Sequence, residues 1–141
     1  MASIATYPSA ELTGKIIKCC MEAHSFLGPG LPESTYHKAT LKEMRWVNLP
    51  FISEREISIV YKDGEILDVF RPDVIADKKV VVEYKALDRL TDDHVSQLLT
   101  YLKITNLQVG LLINFGERKL QFNRYINKYF DPTKPANLPA A

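Results

Sequence analysis

The sequence predicts a mixed α/β (α+β) domain with elements in the order ααβββαββ, and three observations carry that prediction. The first segments repeat apolar residues at helical spacing, the middle alternates with a period of two around a Val80-Val81-Val82 run, and a strongly marked helix start at Thr91 precedes two further strand-like stretches.

The first helix begins after Pro8-Ser9, with Ser9 as N-cap and Glu11 in the first turn. Leu12, Ile16, Cys19 or Cys20, Ala23 and Leu27 give it one apolar face, and Gly28-Pro29-Gly30 stops it. A second helix runs from Pro32 to Trp46, proline being tolerated at the first helical position, until Asn48-Leu49-Pro50 breaks it. From Phe51 the pattern turns to strands. Ile57, Ile59 and Tyr61 alternate with polar residues, Lys62-Asp63-Gly64-Glu65 is a tight hairpin, and Ile66 to Val74 returns as the partner. Asp77-Lys78-Lys79 turns again into Val80 to Ala86. Thr91 caps the third helix, Asp92 and Asp93 suit its positive end, and Leu90 with Val95 forms a hydrophobic staple; it ends near Asn106. Strands follow at Val109 to Phe115 and Leu120 to Tyr125.

A chain of 141 residues suits one domain, able to bury about two-thirds of its unfolded surface. We expect that domain over residues 1–130 and a disordered tail over 131–141, rich in proline and polar residues. The net charge of +1 advertises no global basic field. Cys19 and Cys20 are adjacent, cannot readily bridge, and lack zinc spacing, so a reducing compartment and no disulfide are expected. No apolar run approaches the roughly 18 residues of a membrane span, and Met1 to Thr6 lacks the basic and apolar regions of a leader. The expected location is cytoplasmic, without membrane association.

The chemistry gathers on the third strand. Successive strand residues alternate faces, so Val81, Glu83 and Lys85 share one side while Val82, Tyr84 and Ala86 share the other. A buried charge is costly unless paired or bound to metal, so Glu83 and Lys85 beyond a valine run conceal an ion pair or build a site. Asp73 ends the preceding strand. A hard cation such as Mg²⁺ takes one or two carboxylates with water and phosphate, which Asp73 and Glu83 supply, with Glu33 reaching in from the second helix beside Tyr36. Lys85 is placed to orient an attacking water or stabilise a transition state. On the third helix His94, Gln97 and Tyr101 make one polar stripe; Gln97 and Tyr101 suit a phosphate oxygen, whereas His94 suits a phosphate contact, a capping role or mere exposure. The blander readings are an Asp73–arginine pair, a Glu83–Lys85 cross-strand salt bridge, Glu33 complementing the helix dipole, and Trp46 as packing.

Pro72-Asp73 followed by Glu83-Tyr84-Lys85 resembles the PD-(D/E)xK nuclease signature. Gln97-Leu98-Leu99-Thr100-Tyr101 resembles the QxxxY motif of its RecB-like branch, and Gly30-Leu31-Pro32-Glu33-Ser34-Thr35-Tyr36 is similar to the motif that names the small bacterial and archaeal GxxExxY family. The resemblance covers roughly residues 9 to 127. It implies a restriction-endonuclease-like core, a mixed sheet flanked by helices. It also implies phosphodiester hydrolysis leaving a 5′-phosphate, with Glu33, Asp73 and Glu83 holding Mg²⁺ or Mn²⁺ and Lys85 as catalytic lysine. Gln97, Tyr101, His94 and Tyr36 are the substrate-contact candidates. The expected partner is nucleic acid, DNA ahead of RNA, with a homodimer or a partner protein left open. The alternative is a non-catalytic nucleic-acid- or protein-binding module on the same fold.

Overall fold

The computed structural model describes residues 7–139. The leader reading of Met1 to Thr6 and the last two residues of the expected tail lie outside them. The centre is β5 (Val80–Lys85), buried through its first five residues because both faces are covered. It lies in a five-stranded sheet of order β1-β4-β5-β6-β7, with β1 at Phe51–Ser53, β4 at Val74–Ala76, β6 at Val109–Asn114 and β7 at Gln121–Ile126. Only β5 and β6 run parallel, which requires the crossover through α3 (Asp92–Thr105); the other neighbours are antiparallel. The sheet is therefore mixed and flanked by helices, as expected.

The pleat divides the core into two layers. Val80, Val82 and Tyr84 point towards α1 (Ala10–Leu27) and α2 (Glu33–Trp46), joining Ile16, Tyr36 and Met44. Val81 points the other way, to Leu98, Tyr101 and Leu102 of α3. A separate hairpin, β2 (Ile57–Val60) with β3 (Ile66–Phe70), contributes Ile57 and Phe70 to that second layer. Cys19 and Cys20 are buried free thiols in the first layer.

Three local expectations change. The three central strands are five, because the Phe51–Tyr61 and Ile66–Val74 runs each break. Glu54 adopts a left-handed φ of 52° after β1, and Pro72, which has no N–H to donate to a ladder, separates β3 from β4. Ser9 also has a left-handed backbone and its side chain makes no cap hydrogen bond. Trp46 is 70% exposed, because α2 turns that face outward beside Phe26. In the segment expected as a tail, Asn106 Nδ2 donates to the carbonyls of Asp131 and Lys134, and Leu138 packs against the second layer. Among the described residues no helix is long and apolar enough to cross a membrane.

Parallel β5 and β6 end together, and the connections that leave them touch. Asn114, fully buried at the end of β6, accepts from Leu87 N–H and Gly116 N–H and donates to Leu87 C=O. A methyl at Gly116 would stand 2.3 Å from both the nitrogen and the oxygen of Leu87. At Gly110 it would meet only the side chains of Leu98 and Leu102. Gly116→Ala is therefore expected to cost about 2–3 kcal/mol in a denaturant melt, more than Gly110→Ala, whose leucine neighbours can shift. An equal or smaller loss at Gly116 would contradict the close approach of these loops.

Candidate active site

The site forms where a strand ladder stops. Val74 opposite Val82 is the last pair between β4 and β5, so Asp73 and Glu83 face each other just beyond it. Two crossed hydrogen bonds replace the ladder there. Asp73 N–H donates to Glu83 Oε2 at 2.6 Å, and Tyr84 N–H donates to Asp73 Oδ2 at 2.8 Å. On the other flank Glu54 N–H donates to Asp73 C=O at 3.0 Å, so the aspartate is held from both neighbouring strands. Each carboxylate thus spends one oxygen on the clasp.

This pair is electrostatically unbalanced. Glu83 is 3% exposed, and among the described residues neither carboxylate has a cation within ion-pair distance. Burial, followed by the charge of Asp73, pushes the Glu83 carboxyl up to about 9, despite the Asp73 amide and Lys85. Burial also raises Asp73, opposed by the Tyr84 amide, His37 and Lys85. Glu33, at the exposed start of α2, is raised by burial and by Asp73, which puts it in the same field. Lys85 extends to Gln97, its Nζ donating to Oε1 at 3.2 Å, rather than forming the cross-strand salt bridge with Glu83. Tyr101 is 8% exposed; burial, then Glu83 and Asp73, raises its phenol to about 12, so its O–H remains a donor at neutral pH.

The structure thus gathers Asp73, Glu83, Lys85, Gln97, Tyr101 and, at the periphery, Glu33. Two of the substrate-contact candidates, Tyr36 and His94, have other partners within the fold. Tyr36 is fully buried, stacked on Phe115 with centroids 4.7 Å apart, and its hydroxyl donates to Gly28 C=O while accepting from Leu31 N–H. Its helical spacing from Glu33 points it inward, where it closes the turn between α1 and α2. His94 Nδ1 accepts from Thr91 N–H at 3.0 Å, the reciprocal half of a capping box at the start of α3.

Sequence reasoning missed His37 and Glu54. His37 is buried on α2, with Nε2 3.0 Å from Ser53 Oγ, Nδ1 3.5 Å from Glu54 Oε1, and its ring edge against Tyr84. It ties α2 to the end of β1 beside Asp73. The one signal for it in the sequence was its i, i+4 spacing from Glu33.

A hard divalent ion fits this donor set. Among the described residues Asp73 Oδ1 and Glu83 Oε1 carry no hydrogen bond, and a cation between them would relieve the repulsion of the two ionised acids. Among the described residues no three His, Cys, Asp or Glu side chains gather at ligand distance. Two carboxylates with water and phosphate are what Mg²⁺ or Mn²⁺ accepts, with Glu33 as a more distant acid.

Comparison with known proteins bears on this geometry. A family model described as the PD-(D/E)XK nuclease superfamily matches residues 10–125. No curated protein matches the chain. Among solved structures the crystal structure of SSO0001 is similar, with a TM-score of 0.53 and 16% identity, covering 90% of this chain and 82% of that one. At that identity the likeness is one of fold.

The Glu83 shift fixes a pH dependence. Between its ordinary value of 4.5 and about 9 the metal-free native state binds a proton that the unfolded state has released, so stability falls as pH rises. The contribution is full below about 4.5 and gone by about 9. Thermal midpoints in EDTA should decline across about pH 5–9, less steeply in Glu83→Gln; parallel profiles would contradict the buried acid. Tyr36→Phe should cost about 0.5–1.5 kcal/mol in a urea melt, because it removes the hydroxyl that joins Gly28 C=O and Leu31 N–H. No measurable loss would contradict a structural role for the Tyr36 hydroxyl in the turn between α1 and α2.

Proposed function

The chain belongs to the PD-(D/E)XK nuclease superfamily, and on that premise we propose that it is a divalent-metal-dependent nuclease of the GxxExxY group in the RecB-like branch, hydrolysing phosphodiester bonds in DNA. The observation that supports this most is the Asp73–Glu83 clasp: a buried and a half-buried carboxyl group facing each other without an ion-pair partner among the described residues, beside a lysine that hydrogen-bonds to a glutamine. A binding module without turnover gives no reason to retain that arrangement, because like-charged buried acids destabilise the fold and repel phosphate.

Asp73 and Glu83 would hold Mg²⁺ or Mn²⁺ through their free oxygens, with Glu33 completing the acidic shell. The bound ion supplies neutralisation of the charge that develops on the phosphoryl oxygens. Lys85, steadied by Gln97, presents an ammonium on the same strand face as Glu83; it orients the attacking water and offsets negative charge in the transition state. Gln97 is exposed, and its amide, which also contacts the Tyr101 hydroxyl, can offer an N–H to a non-bridging oxygen. The Tyr101 hydroxyl, kept protonated, is a second donor from the next turn of α3.

Labelled linear and circular DNA, single- and double-stranded, should be cut in Mn²⁺ or Mg²⁺ and not in EDTA. Asp73→Ala and Lys85→Ala should each lower the rate by about 10²–10³-fold or more. Cleavage that survives both substitutions, or wild-type protein inert towards every DNA and RNA form while fully folded, would refute the nuclease.

A further inference from the structure

The sheet topology brings an unusual share of the arginines to the active edge. β5 and β6 end at that edge, antiparallel β4 begins there, and β1 ends there. The connections at the edge are therefore residues 54–56, 71–73, 86–91 and 115–120. Four of the six arginines, Arg55, Arg71, Arg89 and Arg118, occupy them. The other two have packing roles: Arg45 lies over the Phe51 ring and Arg124 donates to Thr13 Oγ1. At the opposite edge the turn into β5 carries lysines instead, Lys78 and Lys79.

Arg71, Arg89 and Arg118 are exposed, and none has an ion pair or side-chain hydrogen bond among the described residues. The turn carrying Arg118 and Lys119 is rigidly held. His24 Nε2 lies 2.9 Å from Glu117 C=O, and Asn114 Nδ2 donates to Glu117 Oε2, so the acid of that turn is engaged while its two cations stand clear. Beside it opens a groove of about 430 Å³ between the two cations and Gly28-Pro29. Across the sheet, Arg71 leads into β4 and the Arg118 turn leaves β6, strands two spacings or about 10 Å apart with β5 between them.

We propose that Arg71, Arg89, Arg118 and Lys119 form a phosphate track along the active edge, which grips the backbone of a nucleic-acid strand without reading its bases. This rests on the nuclease reading and deepens it, since it assigns substrate-binding residues outside the motifs. Arginine is well matched to such a track because its charge is permanent and its planar fork binds phosphate oxygens two at a time. The track lies across Lys85, so a strand held on it passes over the Asp73–Glu83 pair. Loop contacts to the backbone alone give affinity and register but no sequence preference.

The test is a salt titration of binding to fluorescent 30-mers of two unrelated sequences, as duplex and as single strand, in an Asp73→Ala background that prevents turnover. Arg71→Gln/Arg89→Gln/Arg118→Gln should bind at least about tenfold more weakly in 0.1 M salt, equally for both sequences. Its slope of log K against log salt should be shallower by about 2.7 on duplex or about 2 on single strand. The opposite-edge pair Lys79→Ala/Lys128→Ala, Lys128 lying just past the end of β7 where β6 begins, should match the background protein, and the thermal midpoint of the triple variant should match too. Unchanged affinity and slope in the triple variant, a loss confined to one sequence, or an equal loss in the lysine pair would overturn the track. If wild type still cleaves in that case, the nuclease reading survives alone; wild type that neither binds nor cleaves overturns both.

Discussion

Two carboxylates that face each other where a hydrogen-bonded ladder ends govern much of this molecule. Glu83 sits at the end of a strand so apolar that its side chain has almost no access to water, and Asp73 follows a proline that cannot extend the pairing. Each acid accepts the other segment's amide, which engages one oxygen of each and leaves the second without a hydrogen bond among the described residues. Such a pair destabilises the metal-free fold; it is tolerated because β1, β4 and β5 hold it from three sides. A divalent cation is the simplest complement.

The surroundings follow from this placement. Parallel pairing of β5 with β6 sends α3 back over the sheet, and its first turns carry Gln97 and Tyr101 to the edge where Lys85 ends. The same pairing ends β6 at Asn114, whose amide locks the adjoining loops. On the opposite face, the turn closed by Tyr36 aims the start of α2, with Glu33, at that edge. One topological choice thus collects the acids, the lysine and the hydrogen-bond donors.

Much of this was legible in the sequence, for reasons that differ by residue. Period-two alternation put Glu83 and Lys85 on one face and Tyr84 on the other, as found in the two core layers. The capped start of α3 was equally clear. Strand breaks at Glu54 and Pro72 were not, since a left-handed residue and a ladder gap leave the apolar pattern nearly intact. The burial of Tyr36 was not legible from its spacing to Glu33, because the core-facing side of α2 is set by how the helix packs on the sheet. His94 and His37 show the same limit: whether a histidine caps, bridges or contacts a substrate depends on partners that only tertiary structure supplies.

The central claim is that the Asp73–Glu83 clasp is a ready-made divalent-metal site, and a Mn²⁺ titration followed by electron paramagnetic resonance tests it most directly. Free Mn²⁺ signal should be lost on adding wild-type chain, with the loss abolished in Asp73→Asn and retained in Tyr101→Phe. Binding that is absent in the wild type, or indifferent to Asp73, would contradict the claim and leave the buried pair without a purpose.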